Sequence, residues 1–147
     1  VLRFGGHAFA AGVSIVPEAL ADFAACFEAI ARELLPASAL RRYLDSDGEL
    51  GPGEISLELC TTLRDEVWGR SFPPPVFEGV FEVLAQRSVG VGHAKLTLER
   101  AGERFSAIAF RQPVPLPPRI RTLYRPEVNR WNGSSRIELV VFDCRAA

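Results

Sequence analysis

Between Gly79 and Asp143 the chain reads as five short strand-like runs: GVFEVLAQRS, HAKLTLER, RFSAIAF, RIRTLYR and RIELVVFD. Each interleaves β-branched, aromatic and aliphatic residues with polar ones, and turn residues separate the runs. AGE, from Ala101, and NGS, from Asn132, have the composition of hairpin turns. Strands this short bury a core only by closing on themselves or by stacking two sheets. The expectation is a small antiparallel barrel or sandwich, and a five-strand Greek-key barrel of the OB type fits both count and spacing. The insert QPVPLPPR lies between the third and fourth runs. Barrels of this type often carry a helix or long loop there.

The first half has a different texture. VLRFGGHAFAAGVSIV, residues 1–16, starts with a glycine-rich turn and runs into a strand favoured by Val13 and Ile15. Leu20, Phe23, Ala24, Phe27, Ile30, Ala31 and Leu34 then recur at three- and four-residue steps, predicting an amphipathic helix that begins near Pro17 and ends at Pro36. LDSDGELGPGE is acidic and rich in Gly and Pro, and reads as an exposed linker. A second helix is predicted from about Glu54 to Glu66, with Ile55, Leu59 and Leu63 on one face. The run WGRSFPPPVFEG cannot continue it, because Pro73, Pro74 and Pro75 fix φ and delete three successive donors. An extended loop anchored by Trp68, Phe72 and Phe77 is expected. Phe23, Phe27, Phe81 and Phe110 are expected in the core. The fold class is therefore α+β.

Net charge is −1, yet the halves differ. Residues 1–66 hold 5 basic and 11 acidic side chains, whereas residues 67–147 hold 12 basic and 7 acidic. Six arginines and one acid, Glu127, lie between Arg111 and Arg136. Such a bias points to an anionic partner, nucleic acid being the usual one, or to solvated strand faces. No apolar run approaches the roughly 18 to 20 residues of a spanning helix, and the start lacks a signal peptide's basic region. Cys26, Cys60 and Cys144 are odd in number and far apart, with no ligand-like spacing, so a reduced, cytosolic setting is the default. The chain begins without Met inside what reads as a motif, and is expected to be a piece of something longer.

Phe4 to Gly12 is the sharpest local signal. Adjacent glycines can present amides to an anion, and a neighbouring histidine can donate to a phosphate oxygen. An ordinary Gly-Gly turn with a surface His accounts for it equally. As a string, Gly5, Gly6, His7, Ala10, Ala11 and Gly12 resemble the GGH-x-x-AAG signature of the DHHA1 domain, which accompanies the DHH phosphoesterases. Trp68 to Gly79 resembles the P-F/W-G-x-G-N/F-P-x-P-x-F segment of the RecJ family of single-strand-specific 5′→3′ exonucleases. Val89, Gly90, Gly92, His93, Lys95 and Leu96, then Ala107 to Phe110, and finally Tyr124, Asn129, Trp131 and Gly133 match further motifs of that family in order. Val67 and Ser71 depart from it, standing where the family often has Pro and usually has Gly.

The resemblance implies a carboxy-terminal portion of such an exonuclease: the end of DHHA1 over residues 1–36, a linker and connecting helix over 37–66, and an OB-type single-strand-binding domain over 67–147. It implies that Gly5, Gly6 and His7 hold substrate phosphate, and that manganese or magnesium belongs to a DHH domain whose Asp- and His-rich motifs are not in this sequence. Two-metal hydrolysis needs several gathered carboxylates and histidines. Here the acids are scattered and there are two histidines, so the piece is expected to bind without cutting. Single-strand binding needs a cationic groove and flat side chains for stacking. Arg111, Arg121, Arg125, Arg130 and Arg136, with Lys95 and His93, are candidates for the first, as is Arg119. Tyr124 and Trp131 are candidate stackers that a core would also take, and His93 could as well satisfy a core hydrogen bond. The implied roles are DNA recombination and repair in the cytoplasm. The alternative is an OB-like docking module that recruits a single-strand-binding protein or helicase.

Overall fold

The computed structural model describes residues 1–41, 43–112, 114–131 and 133–147, with the side chain of Trp131 outside that description. Two compact units emerge, Val1–Leu44 and Asp45–Ala147.

In the first unit, β1 (Arg3–His7) pairs antiparallel with β2 (Ala10–Ser14). The expected glycine turn is displaced. Gly5 lies opposite Gly12 and Gly6 opposite Ala11, inside the ladder, and the chain reverses at Ala8–Phe9. A Cβ on Gly6 would come within 2.7 Å of the Ala11 Cβ, which explains the missing side chain. The amides of Gly5 and Gly6 therefore run along an extended strand and do not converge as in an anion-binding turn. A short 3-10 turn at Pro17–Ala19 leads into α1 (Leu20–Leu34), as the periodicity predicts. Its apolar stripe is uncovered within this unit. Phe23 and Phe27 stack at 6.0 Å, but Phe27 is 63% exposed, so the pair lines an open apolar groove and not a core.

In the second unit the barrel comprises β3 (Phe77–Val89), β4 (His93–Arg100), β5 (Glu103–Ala109), β6 (Arg119–Trp131) and β7 (Ser134–Ala146). They close in the order β3-β4-β5-β7-β6, and β6 returns to β3. All neighbours are antiparallel except β5 and β7, which run parallel from Ser106↔Glu138 to Ala109↔Val141. The expected small barrel of the OB type forms, with this one parallel pair in an otherwise antiparallel ring. The closed order forces it, because five strands in a ring cannot all alternate in direction and one neighbouring pair must run parallel. The result is the OB type.

Alternation builds the interior. Ala94, Leu96 and Leu98 of β4 face Phe105, Ala107 and Ala109 of β5, joined by Phe81, Ile120, Tyr124, Leu139 and Val141. Phe81 sets its ring edge-on to Tyr124 at 5.3 Å and to Phe105 at 6.3 Å, an arrangement that the ring quadrupoles favour. Between β4 and β5, Ala101 (φ 52°) and Gly102 (φ 81°) both take left-handed backbone, the requirement of a two-residue hairpin turn that matches strand twist. The proline-rich crossover has no helix among its described residues. It is held instead by Gln86, whose amide accepts from the Leu116 N–H at 2.6 Å and donates to the Leu116 carbonyl at 3.0 Å. Leu116 is thereby seated in the core.

The acidic Gly/Pro stretch is no exposed linker where it meets the barrel. Asp47 donates its N–H to the Val76 carbonyl at 2.8 Å and accepts from the Val76 N–H through Oδ2 at 2.9 Å, while Glu78 donates to the Gly48 carbonyl. Leu50 and Ile55 enter the core cluster. α2 (Leu57–Asp65) starts on Ser56, whose Oγ accepts from the Leu59 N–H at 3.1 Å. Trp68 donates its indole N–H to the Leu63 carbonyl at 2.6 Å and packs on Phe72, so both staple the proline loop to the end of the helix.

At Gly79 in β3 the barrel has no room for a side chain. A Cβ there would lie 3.0 Å from the Phe81 ring and 2.9 Å from the Arg100 guanidinium. Gly79→Ala is expected to lower the unfolding free energy by about 1–3 kcal/mol, as overpacking does, read as a lowered urea midpoint with unchanged slope.

Candidate nucleic-acid interface

Inward alternation fixes what faces outward. On β4, His93, Lys95 and Thr97 point away from the core, and register brings Arg87 of β3 opposite Lys95, with Ser106 of β5 opposite Thr97. Across the parallel seam Ser106 meets Glu138 of β7, and Asn129 of β6 lies opposite Arg136. These side chains line a groove of about 370 Å³ formed by Lys95, Ser106, Asn129, Ser134, Arg136 and Glu138. A smaller depression of about 160 Å³ adds Arg87 and Thr97 and shares Lys95 and Ser106.

Glu138 is the hub of the groove. Its Oε1 accepts from the Lys95 ammonium and, at 3.3 Å, from the Ser106 hydroxyl, and its Oε2 accepts from the Asn129 amide at 2.9 Å. Arg87 and Arg136 form no ion pair among the described residues and carry uncompensated charge on either side of that cluster. Farther along the same outer face stands Phe110, which meets the His93 ring edge-on at 5.2 Å. The core position expected for Phe110 is corrected: it is 55% exposed, since alternation along β5 turns Ala109 inward and Phe110 outward. Arg111 follows with φ 55°, donating its backbone N–H to His93 Nδ1 at 3.1 Å. That bond fixes Nδ1 as an acceptor, so His93 orders the β5 exit.

The matched region of a known family coincides with this barrel: residues 46–143 match the RecJ OB domain. The chain belongs to the RecJ family. It is 36% identical over 151 aligned residues to the single-stranded-DNA-specific exonuclease RecJ of Haemophilus influenzae, covering 96% of this chain and 26% of that protein. Its identity to the Escherichia coli RecJ is 34%, with the same two coverages. The crystal structure of RecJ in complex with Mg²⁺ from Thermus thermophilus superposes with a TM-score of 0.75 at 28% identity, over 99% of this chain and 23% of that chain. A second structure of that protein, in complex with Mn²⁺, gives the same TM-score at 27% identity, over 99% and 22%. The chain spans about a quarter of the length of the relatives it matches.

The fold separates the predicted residues. Lys95, Arg136, His93 and Arg111 lie along the outer face just described, together with Arg87, which charge counting alone did not single out. Its signal was its register opposite Lys95, hidden by a bulge between Val83 and Ala85 that resets the alternation of β3. Arg119, Arg121 and Arg125 are instead committed to glutamates. Arg119 reaches Glu82 at 3.7 Å, Arg121 reaches Glu78 at 3.0 Å and Glu49 at 3.6 Å, and Arg125 grips Glu127 at 2.8 Å while lying over the Phe142 ring. Arg130 is exposed near the end of β6 and adds to the field of Arg64, whose hydrogen bonds chiefly hold the Asp65 carboxyl below its ordinary range. The Trp131 side chain lies outside the described residues. Gly5, Gly6 and His7 belong to the other unit, exposed on β1.

Tyr124 leaves the set of stackers. It is 0% exposed, wedged between Phe77 and Phe81, because β6 turns it inward beside Ile120. Burial pushes its phenol up to about 12, against a smaller opposing pull from the Arg100 guanidinium. Below about pH 10 the phenol is neutral in both folded and unfolded chains. Above that, the unfolded chain ionises first and gains stability relative to the barrel. Urea midpoints are therefore expected to fall between about pH 10 and about pH 12, and Tyr124→Phe to flatten that decline. In a Tyr43→Phe background, the tyrosinate absorbance of the remaining phenol should rise only near the upper end of the window.

Proposed function

We propose that this RecJ-family chain binds single-stranded DNA across the outer face of β4, β5 and β7, and that in the intact exonuclease it guides the strand toward hydrolysis performed outside the matched quarter. The observation that carries this reading is the pairing of unneutralised cations with an exposed ring on one barrel face. Arg87 and Arg136 flank the groove, and Arg111 and the exposed Phe110 stand beyond it on the same face. Cations follow phosphates and a flat ring stacks a base of any identity, the combination that sequence-tolerant single-strand binding uses. OB barrels present this face, strands two and three of the five, to oligonucleotides. Arg130, exposed near the end of β6, extends the path.

By the DHHA1 resemblance, residues 1–36 end a phosphate-binding domain, and His7, exposed beside the hairpin turn, is the donor it offers to phosphate. The Thermus thermophilus RecJ structures contain Mg²⁺ or Mn²⁺. Among the described residues no three His, Cys, Asp or Glu side chains gather to hold an ion. We assign this chain the handling of the strand, in DNA repair and recombination, within the cytoplasm. No helix among the described residues is long and apolar enough to cross a membrane.

Fluorescence anisotropy of labelled oligo-dT against the 147-residue chain, repeated across a salt series, tests the reading. Affinity should fall steeply with salt, and Arg87→Ala and Arg136→Ala should each flatten the slope by about 0.7. Phe110→Ala should cost about 1–3 kcal/mol with the slope retained, as loss of a stacking contact does. A chain that docks proteins and leaves DNA to other domains would show negligible binding at every salt concentration.

A further inference from the structure

The groove contains an anion site that is already filled. Donors of three chemical kinds, on three different strands, converge on the Glu138 carboxylate: the Lys95 ammonium from β4, the Ser106 hydroxyl from β5 and the Asn129 amide from β6. An ammonium, a hydroxyl and an amide are the donors that hold a phosphate oxygen equally well. The Glu138 side chain is 17% exposed and that of Lys95 28%, so both are set into the floor while Arg87 and Arg136 stand unpaired beside them. Glu138 also lies directly opposite Glu127, and like charges facing across strands repel. Each glutamate has its own cation, Arg125 for Glu127 and Lys95 for Glu138.

We propose that Glu138 withholds Lys95 from the DNA strand, acting as an internal stand-in for a phosphate and holding the groove one cationic contact below its full strength. This rests on the reading of the groove as the single-strand interface, and makes Glu138 a residue that sets affinity without itself contacting DNA. The strand is held by cations at the margins while the centre stays electrically satisfied.

Oligo-dT binding over a salt series tests it in the whole 147-residue chain, with thermal melts checking that each variant is folded. Glu138→Gln, which keeps the size and removes the charge, should free Lys95, tighten binding about fivefold near 0.1 M salt and steepen the salt slope by about 0.7, the value of one further contact to single-stranded DNA. Lys95→Met should weaken binding by leaving a lone carboxylate in the groove. The double variant Lys95→Met/Glu138→Gln should return to wild-type affinity and slope. A double variant that retains the full gain would show that the gain does not run through Lys95 and would overturn the proposal. So would a Glu138→Gln chain that binds no better than wild type while wild type itself binds, an outcome that leaves the groove as the interface. If neither wild type nor Glu138→Gln binds oligo-dT, the interface reading fails first and this inference with it.

Discussion

Closure of the barrel through the β5–β7 seam decides which side of every strand is available. Once Ser106 is registered against Glu138 and Ala107 against Leu139, the two-residue period turns alternate residues of both strands into the core or out of it. Slipping β7 by one residue would turn Glu138 inward among the core side chains, where unsolvated charge is very costly. The aromatic cluster of Phe81, Tyr124 and Phe105 enforces that register from within. The outer face is thus a by-product of core packing, and its side chains hold positions that rigid strands set and loops do not.

The same constraint explains how much could be read from the sequence. Strand-like runs placed five strands nearly correctly, because HAKLTLER alternates cleanly between Ala94, Leu96 and Leu98 inside and Lys95, Thr97 and Glu99 outside. β6 and β7 proved longer than their runs, Arg119–Trp131 and Ser134–Ala146, since Pro126 in β6 and the polar ends near the turn look like strand breakers. Helix periodicity placed α1. α2 begins later than its apolar stripe suggests, because Ser56 caps it and Ile55 belongs to the barrel core instead. The glycines of β1 misled because Gly is usually a turn residue. Here Gly6 is needed for close approach to Ala11 across the hairpin. Family motifs carried the OB assignment further than any of these local rules.

Site residues were harder to see, for a reason visible in single side chains. Tyr124 and Phe110 are both aromatics in strand-like runs, and composition cannot separate them. Tyr124 falls on the inward phase of β6, with Ile120 and Thr122, and Phe110 one step past the inward Ala109, so exposure depends on a phase that register sets and composition does not. The arginines show the same effect in charge. Arg111, Arg121, Arg125 and Arg136 look alike along the chain. Only the folded strands reveal that Arg121 is bound to Glu78 of β3 and Arg125 to Glu127 along β6, while Arg111 and Arg136 have no glutamate partner among the described residues.

That difference also reinterprets the charge asymmetry between the halves. The acidic stretch after Leu44 clasps the start of β3 through Asp47 and Gly48, and its Glu49 then reaches both Arg100 at 3.3 Å and Arg121 at 3.6 Å. Part of the excess of one half is therefore the counter-charge of the other, supplied within a single folded unit. Exposed pairs of this kind contribute little each to stability, but they remove cations from the surface potential. An arginine count along the sequence overstates the attraction for an external polyanion by every such pair. What remains along the groove face is Arg87, Arg111 and Arg136, with Arg130 partly shared with Asp65. On the proposed reading, a small, localised set of cations beside one open ring suits a thin, flexible polyanion with accessible bases better than a wide duplex, whose phosphates would demand charge spread over a much broader surface.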